Sequence, residues 1–143
     1  MVKKSRNYQP RHKREPTGRK FNGRKAIDSM YDDTWVKYRA KFLKENPRCY
    51  ACGELATVTD HLTAHKGDIN LFWKENNYIP LCKRHHDIMT AKFDMRHRAG
   101  NSIQPKISWL QGTRAGYGLT FKVMVVPFDS EILSKIRALK ENK

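Results

Sequence analysis

The stretch that decides the fold lies between residues 49 and 86, where three short pieces carry metal-ligand side chains: CYAC at 49–52, DH at 60–61 and NYIPLCKRHH at 77–86. The soft ligands in these pieces come in two pairs, C-x2-C and C-x2-H: Cys49, Cys52, Cys82 and His85. Zinc binds four sulfur and nitrogen ligands in a closed tetrahedron, so this set predicts a structural Zn2+ site.

A second set of ligands is left over once those four residues are assigned to zinc: Asp60, His61 and His86. A cation that assists phosphate cleavage prefers carboxylate, imidazole and water ligands, with some coordination positions left open. The second set therefore predicts a catalytic divalent cation beside a base. On a chain with a formal net charge of +15, this combination indicates a metal-dependent nuclease.

The order and spacing of these pieces resemble the HNH endonuclease family, in its small, phage-type, zinc-containing form. The resemblance covers about a third of the chain, from Cys49 to about Asp94, and includes HKGD at 65–68 and LFW at 71–73. The family usually closes its zinc site with two C-x2-C pairs, whereas here His85 stands where the fourth cysteine would be. Because imidazole is an ordinary zinc ligand, a site of three cysteines and one histidine is chemically sound.

The predicted fold class is α+β. Short β-prone runs at 56–59 and 77–81, followed by a helix from His85 to about Arg98, give the order strand, strand, helix. The HNH resemblance implies the same arrangement, a ββα-metal (His-Me finger) core with a structural zinc knuckle beside it.

Further elements are predicted on both sides of the motif. A helix should begin at Asp32 or Asp33, bury its regularly spaced aromatic side chains and end at Asn46. Apolar and polar residues alternate from Leu119 to Val125, which predicts a strand with one buried face. Asp129 should cap a final helix.

The positive charge is concentrated at the N-terminus. Residues 1–25 hold ten of the 29 Lys and Arg residues and one of the 14 acidic residues, a net charge of +9 against +6 for the remainder. Such an arm should be disordered when free and suits a polyanion, because neutralised phosphates release counterions; the alternative is an extension that merely aids solubility. The predicted divisions are a nucleic-acid-binding arm over 1–25, an HNH nuclease domain over 26–100 and a strand–helix extension over 101–143.

The spacing of the second set suggests separate tasks for its members. Adjacent residues of a strand point to opposite faces, so Asp60 and His61 cannot both be ligands unless the strand ends there. We assign Asp60 to the cation and His61 to the attacking water, which a neutral imidazole can deprotonate near pH 7. The family resemblance implies the same division. Adjacent helical residues diverge by about 100°, so His85 can face zinc while His86 faces the catalytic cation.

Asn77 matches the middle residue of the family's motif, and the resemblance implies a catalytic role for it. We expect its side chain to hydrogen-bond the loop that carries His61 and so to fix the imidazole. Direct contact with the cation is the alternative. Asn76 is an adjacent competitor, although the run from Asn77 to Cys82 fits the family spacing better.

The remaining polar candidates are expected to meet nucleic acid. His65 could contact a phosphate or the cation, and an ordinary loop hydrogen bond is the alternative. The basic residues expected to contact the DNA backbone as a group lie in the motif and in the arm: Lys66, Arg84, Lys92, Arg96, Arg98, Arg11, Lys13 and Arg14.

Together these features predict an HNH endonuclease that hydrolyses DNA phosphodiester bonds, nicking one strand at a time, as in phage or mobile-element enzymes. His61 would activate water, and one Mg2+ or other divalent cation would stabilise the departing 3′-oxygen. The alternative is a non-catalytic, zinc-stabilised DNA-binding or regulatory protein, which would have no use for Asp60, His61 and His86 together. RNA cleavage is a third hypothesis.

The expected partner is double-stranded DNA, and the resemblance to small phage enzymes allows phage packaging proteins as well. One chain carries one base and one cation site, so a monomer or weak dimer is expected. Three cysteines placed as metal ligands indicate a reducing compartment. No apolar run approaches the roughly 18 residues of a membrane span, so we expect no membrane association and a cytoplasmic location, in the host cytoplasm if the chain is phage-encoded.

Overall fold

The computed structural model of the protein describes residues 30–141. The predicted arm over 1–25, with its candidate DNA contacts Arg11, Lys13 and Arg14, lies outside these residues. The described chain forms a small α+β fold of two antiparallel strands and five α-helices, which confirms the predicted class. Within 30–141, no helix is long and apolar enough to cross a membrane.

Helix α1, Asp33–Glu45, lies where the sequence predicts it. The Asp32 carboxylate caps its first turn by accepting a hydrogen bond from the backbone N–H of Trp35 at 3.2 Å. Asn46 ends the helix, and its backbone N–H donates to the carbonyl of Phe42. The aromatic side chains spaced along one helical face are all buried: Trp35, Tyr38 and Phe42.

The sheet consists of β1, Val58–His61, and β2, Tyr78–Leu81, paired antiparallel with His61 opposite Tyr78. All of β2 and the last three residues of β1 are buried, so the sheet lies inside the molecule. The connection between the strands contains a short helix α2, Ile69–Phe72. Phe72 and the following Trp73 are buried and fasten this connection to the core.

The helix after β2 differs in its bounds from the predicted one. Helix α3, Lys83–Lys92, begins directly after Cys82, and a separate 3-10 turn spans Asp94–Arg96. Phe93, at φ −125° and ψ −54°, interrupts the helical path between them. The prediction of one continuous helix from His85 to about Arg98 is therefore wrong at both ends.

The C-terminal part contains helix α4, Gln104–Gly116, which the sequence analysis did not predict, and helix α5, Ser130–Glu141. The Asp129 side chain accepts a hydrogen bond from the backbone N–H of Ile132 at 2.9 Å, which confirms the predicted cap.

The predicted strand from Leu119 to Val125 is wrong, because this segment pairs with neither strand of the sheet. Side chains satisfy its backbone instead. The Asn46 amide accepts from the N–H of Met124 at 2.7 Å and donates to the carbonyl of Met124 at 3.0 Å. Arg114 donates to the carbonyl of Phe121. The alternation of apolar residues reflects one face turned inward, without a sheet partner.

Two hydrophobic clusters hold these elements together. The larger one joins the aromatic residues of α1 to Phe72 and to Ile132 of α5. The smaller one includes Cys49 and joins Leu81 of β2, Met89 of α3 and Leu110 of α4. Because α4 and α5 each bury a side chain in one cluster, the C-terminal helices are part of the same packed unit as the sheet.

Asn46→Ala should destabilise the fold, because it leaves both backbone groups of Met124 without their partners. Losing these part-buried hydrogen bonds should lower the free energy of unfolding by about 1–3 kcal/mol, measured by denaturant titration. Asn76→Ala, which removes an exposed amide, is the matched control and should change it by less than about 0.5 kcal/mol. Equal losses in the two variants would contradict this account of the segment.

Candidate metal centres

The four soft ligands predicted from the sequence meet at one point. One ligand atom from each lies within 4.8 Å of the others: Cys49, Cys52, Cys82 and His85. The Sγ atoms of Cys52 and Cys82 are 3.9 Å apart, and His85 Nδ1 lies 3.3 Å from Cys82 Sγ and 3.8 Å from Cys49 Sγ. Tetrahedral zinc separates its sulfur and nitrogen ligands by about 3.5–3.8 Å. The cluster therefore could hold a metal ion such as zinc.

A tight turn presents the first cysteine pair. The N–H of Gly53 donates to the carbonyl of Cys49 at 2.8 Å, and the N–H of Cys49 donates to the carbonyl of Glu54 at 2.6 Å. Gly53 has φ +78°, and a Cβ there would lie 2.9 Å from an Arg48 side-chain nitrogen. The turn thus requires glycine directly after the C-x2-C pair.

The second pair is presented by a helix start. Cys82 is the N-cap of α3, and His85 lies in its first turn, so the two ligands project together. Burial lowers the pKa of His85, which keeps its imidazole neutral and able to bind a metal. Burial also raises the pKa of the Cys52 thiol to about 12, and the neighbouring Cys49 and Cys82 add to this. A bound cation would offset that cost by stabilising thiolate.

Asp60 and His86 are brought together, as the sequence predicted. Asp60 lies on β1 and His86 on the first turn of α3, with Asp60 Oδ1 3.7 Å from His86 Nε2. Among residues 30–141, only the cysteine–histidine cluster gathers three or more Cys, His, Asp or Glu ligands. An ion held by Asp60 and His86 would therefore keep most of its coordination positions for water or substrate.

Lys106 and Asp94 are two neighbours of this pair that the sequence analysis missed. Lys106 Nζ lies 2.9 Å from Asp94 Oδ1 and 3.8 Å from Asp60 Oδ2, and it donates to the carbonyl of His61 at 3.0 Å. The only signal for Lys106 in the sequence is its position four residues before Leu110, which places both residues on one helical face. That signal could be used only once α4 was known.

The carboxyl group of Asp60 is electrostatically unusual. Burial raises its pKa; the Lys106 ammonium acts in the opposite direction, Asp94 raises the pKa further, and His86 lowers it. Its Oδ2 atom is buried without a hydrogen-bond partner. A buried carboxylate that keeps its charge gains strongly from a bound cation.

His61 is held as a neutral imidazole. Its Nε2 lies 3.1 Å from the carbonyl oxygen of Phe72, which can only accept, so Nε2 carries the hydrogen and Nδ1 keeps the lone pair. The ring stacks on Trp35 with a centroid distance of 5.4 Å. Burial, with a smaller effect of His65, lowers the pKa of His61 to about 3. The proton acceptor of this imidazole is therefore Nδ1.

Asn77 fastens the loop that follows His61. Its Oδ1 accepts from the N–H of Thr63 at 2.8 Å, and its Nδ2 donates to the carbonyls of Thr63 at 3.0 Å and Leu71 at 2.9 Å. These are the loop contacts that we expected for this residue. The side chain of Asn76 is exposed.

His65 makes loop hydrogen bonds, the alternative left open by the sequence. Its Nδ1 accepts from the N–H of Gly67 at 3.1 Å, and its Nε2 lies 2.8 Å from the hydroxyl of Tyr31. Burial lowers the pKa of His65, and the nearby Lys66 acts in the same direction. Its ring centroid lies 4.7 Å from that of His61, so it helps to enclose the other imidazole.

The candidate backbone-binding residues of the described chain are all exposed: Lys66, Arg84, Lys92, Arg96 and Arg98. Lys92 and Arg96 line a cavity of about 160 Å³, together with Asp94 and Lys106. Two of the exposed cations therefore share a cavity with Asp94 and Lys106.

The hydrogen bond from His61 to Phe72 gives a testable protonation state. We expect His61 to keep its hydrogen on Nε2 and to stay neutral from about pH 8 down to about pH 6. An unperturbed histidine, with a pKa of about 6.5, becomes mostly charged over this range. Nitrogen-15 NMR of the imidazoles would show this, with the same protein unfolded in urea as the control. Titration of His61 near pH 6.5, or a hydrogen on Nδ1, would contradict the assignment.

No protein-family model matches the chain, and no curated protein or solved structure matches it. The geometry of the two clusters is therefore the basis for assigning a function.

Proposed function

We propose that this chain is a metal-dependent endonuclease of the HNH type that hydrolyses phosphodiester bonds in DNA. The observation that carries the proposal is the position of His86. It follows His85 of the cysteine cluster directly, yet its own Nε2 lies 3.7 Å from Asp60 Oδ1. A single helical turn thus supplies one imidazole to the soft-ligand cluster and the next imidazole to the carboxylate–imidazole pair, which is the division of labour that a zinc-stabilised nuclease needs.

The arrangement of elements around this pair supports a ββα-metal core. Strands β1 and β2 pair antiparallel, α3 follows directly, and α3 contacts both strands. Asp60 comes from the first strand and His86 from the helix. A divalent cation between them would face the end of the sheet, where β1 finishes at His61.

In the proposed reaction, the divalent cation would polarise the scissile phosphate and stabilise the departing 3′-oxygen. Nδ1 of His61 takes the proton from the attacking water, while the Phe72 carbonyl holds the opposite N–H. Burial opposes the positive charge that then forms on the ring, but a bound phosphate adds the negative charge that favours it. Asn77 keeps the loop after His61 in place during this step.

We further infer that the cysteine–histidine cluster holds zinc and that this zinc is structural. The four ligands come from the turn at 49–52 and the start of α3, which flank the end of β2. Four such ligands around zinc would close a tetrahedral site and leave no position for substrate. The ion would therefore fix the helix that carries His86.

A second candidate function is a non-catalytic, zinc-stabilised nucleic-acid-binding protein. The burial of His61, which is 6% exposed, favours it, because a base must reach water. The exposed basic residues serve both candidates equally. A supercoiled plasmid incubated with the zinc-loaded protein and Mg2+ or Mn2+ separates the two, since only the nuclease converts it to open-circular DNA.

His61→Ala should slow plasmid nicking by about 10²–10⁴-fold, because it removes the proton acceptor and leaves both ligand sets in place. Zinc content and DNA affinity should stay near wild type. Ser108→Ala, an exposed substitution on α4, is the control and should nick at the wild-type rate. If His61→Ala kept more than about a tenth of the wild-type rate, His61 would not be the base.

Cys82→Ser should lose zinc and unfold or aggregate, because a closed zinc site contributes folding free energy directly. Metal analysis and circular dichroism would measure both effects. Ser108→Ala, an exposed substitution on α4, is the control and should retain one zinc per chain. Folded, active protein without zinc would contradict the structural assignment.

A further inference from the structure

Lys106 is a buried cation beside the candidate cation site, and the reaction proposed above makes no use of it. Its side chain is 3% exposed. Its ammonium group donates to the carbonyl of His61 at 3.0 Å and to Asp94 Oδ1 at 2.9 Å, and lies 3.8 Å from Asp60 Oδ2. An ammonium has three N–H donors, and three oxygens surround this one.

A buried ammonium is costly unless a nearby anion balances its charge. Asp94 is its hydrogen-bonded partner, so these two charges largely compensate each other. Asp60 then remains as a second carboxylate, and the cluster of two carboxylates and one ammonium has an excess of one negative charge. That excess negative charge lies on Asp60, which is only 9% exposed.

The two oxygens of Asp60 have different surroundings. Oδ2 is on the side of Lys106 and has no hydrogen-bond partner, whereas Oδ1 lies 3.7 Å from His86 Nε2. The ammonium on one side would compete with a metal ion for Oδ2 by charge repulsion. Oδ1 is therefore the oxygen left for a divalent cation.

We propose that Lys106 and Asp94 form a positioning pair, which presents Asp60 to the divalent cation through Oδ1 alone and fixes the charge of the site. The inference rests on the proposed function, since it concerns the same cation site. A carboxylate restricted to one oxygen occupies one coordination position instead of two. The ion thereby keeps more positions for water and phosphate.

The pair also ties α4 to the end of β1 through the carbonyl of His61, so a purely structural role is the competing explanation. The two explanations predict opposite effects on cation affinity when Lys106 is removed. Structural damage would weaken cation binding whichever partner is removed. A role through charge makes removal of the ammonium strengthen binding and removal of the Asp94 charge weaken it.

The experiment measures Mn2+ binding to the full-length, zinc-loaded protein by electron paramagnetic resonance at about pH 8, chosen on the alkaline side because burial raises the pKa of Asp60. We expect Lys106→Met to bind Mn2+ about tenfold more tightly and Asp94→Asn about tenfold more weakly. The double variant restores the net charge and should return to within about threefold of wild type. Lys37→Met removes an exposed lysine that pairs with Glu131 of α5 and should leave the affinity unchanged.

Plasmid nicking at saturating Mn2+ gives the second readout. Lys106→Met should be slower by about tenfold or more, although its cation binds more tightly, because a two-oxygen carboxylate would take a position needed by the phosphate. If Lys106→Met did not fold, the weakened binding of Asp94→Asn and its reversal in the double variant would carry the test.

Unchanged Mn2+ affinity in Lys106→Met and Asp94→Asn, or a loss of affinity in both with no recovery in the double variant, would overturn the positioning pair and leave the cation site standing. Wild-type protein that binds no Mn2+ beyond its zinc would overturn the cation site itself and this inference with it.

Discussion

The constraint on which the rest of the structure depends is that four soft ligands must meet at one point. Two of them lie in the turn at 49–52, and the others lie at and just after the end of β2. Bringing these pieces together fixes where α3 begins. Once Cys82 is the N-cap and His85 faces the cluster, the direction of His86 follows from the rotation of about 100° per helical residue. The position of His86 near Asp60 is thus a consequence of where the four soft ligands meet.

A second constraint acts at the other end of β1, where polar groups are buried among aromatic rings. The carbonyl of Phe72 accepts from both His61 and the hydroxyl of Tyr78. The Asn77 amide donates to the carbonyl of Thr63 in the loop that follows β1. In the part of the chain that the structure describes, the buried side-chain polar atoms without a partner are Asp60 Oδ2 and Trp73 Nε1. Buried polar groups are normally paired, and Oδ2 instead faces the Lys106 ammonium at 3.8 Å, which leaves Oδ1, 3.7 Å from His86 Nε2, as the oxygen open to a further ligand.

Much of this arrangement could be predicted from the sequence because it depends on short-range spacing. Ligand pairs three residues apart, caps at Asp32 and Asp129, and the strand-forming runs at 56–59 and 77–81 act locally. The structure contains each of them, although β1, Val58–His61, begins two residues later than its predicted run and includes the DH pair. The ββα-metal core and the second metal remain hypotheses supported by geometry.

The errors at residues 119–125 and at α4 have a common physical cause, which is that the partner is distant in sequence, whereas the wrong bounds of α3 come from the local break at Phe93. The segment from Leu119 to Val125 has the periodicity of a strand, but its backbone binds side chains such as Asn46 instead of another strand. Helix α4 contains Pro105, Gly112 and Gly116 and buries Lys106 and Arg114, so neither its propensity nor its polarity predicts a packed helix. Lys106 is buried because Asp94 and the carbonyl of His61 are there to receive it.

The central claim is that one stretch of chain builds two metal sites of different character, the first of which positions the second. Titration of metal-free protein with Co2+, followed by visible absorption, tests it most directly. The first equivalent should give the intense bands and sulfur charge transfer of a tetrahedral site with three thiolates and one imidazole. A second equivalent should then give the weak bands of an open site with oxygen and nitrogen ligands, and Asp60→Asn should abolish it. Absence of the sulfur charge transfer, or filling of the oxygen and nitrogen site before the sulfur site, would contradict the account.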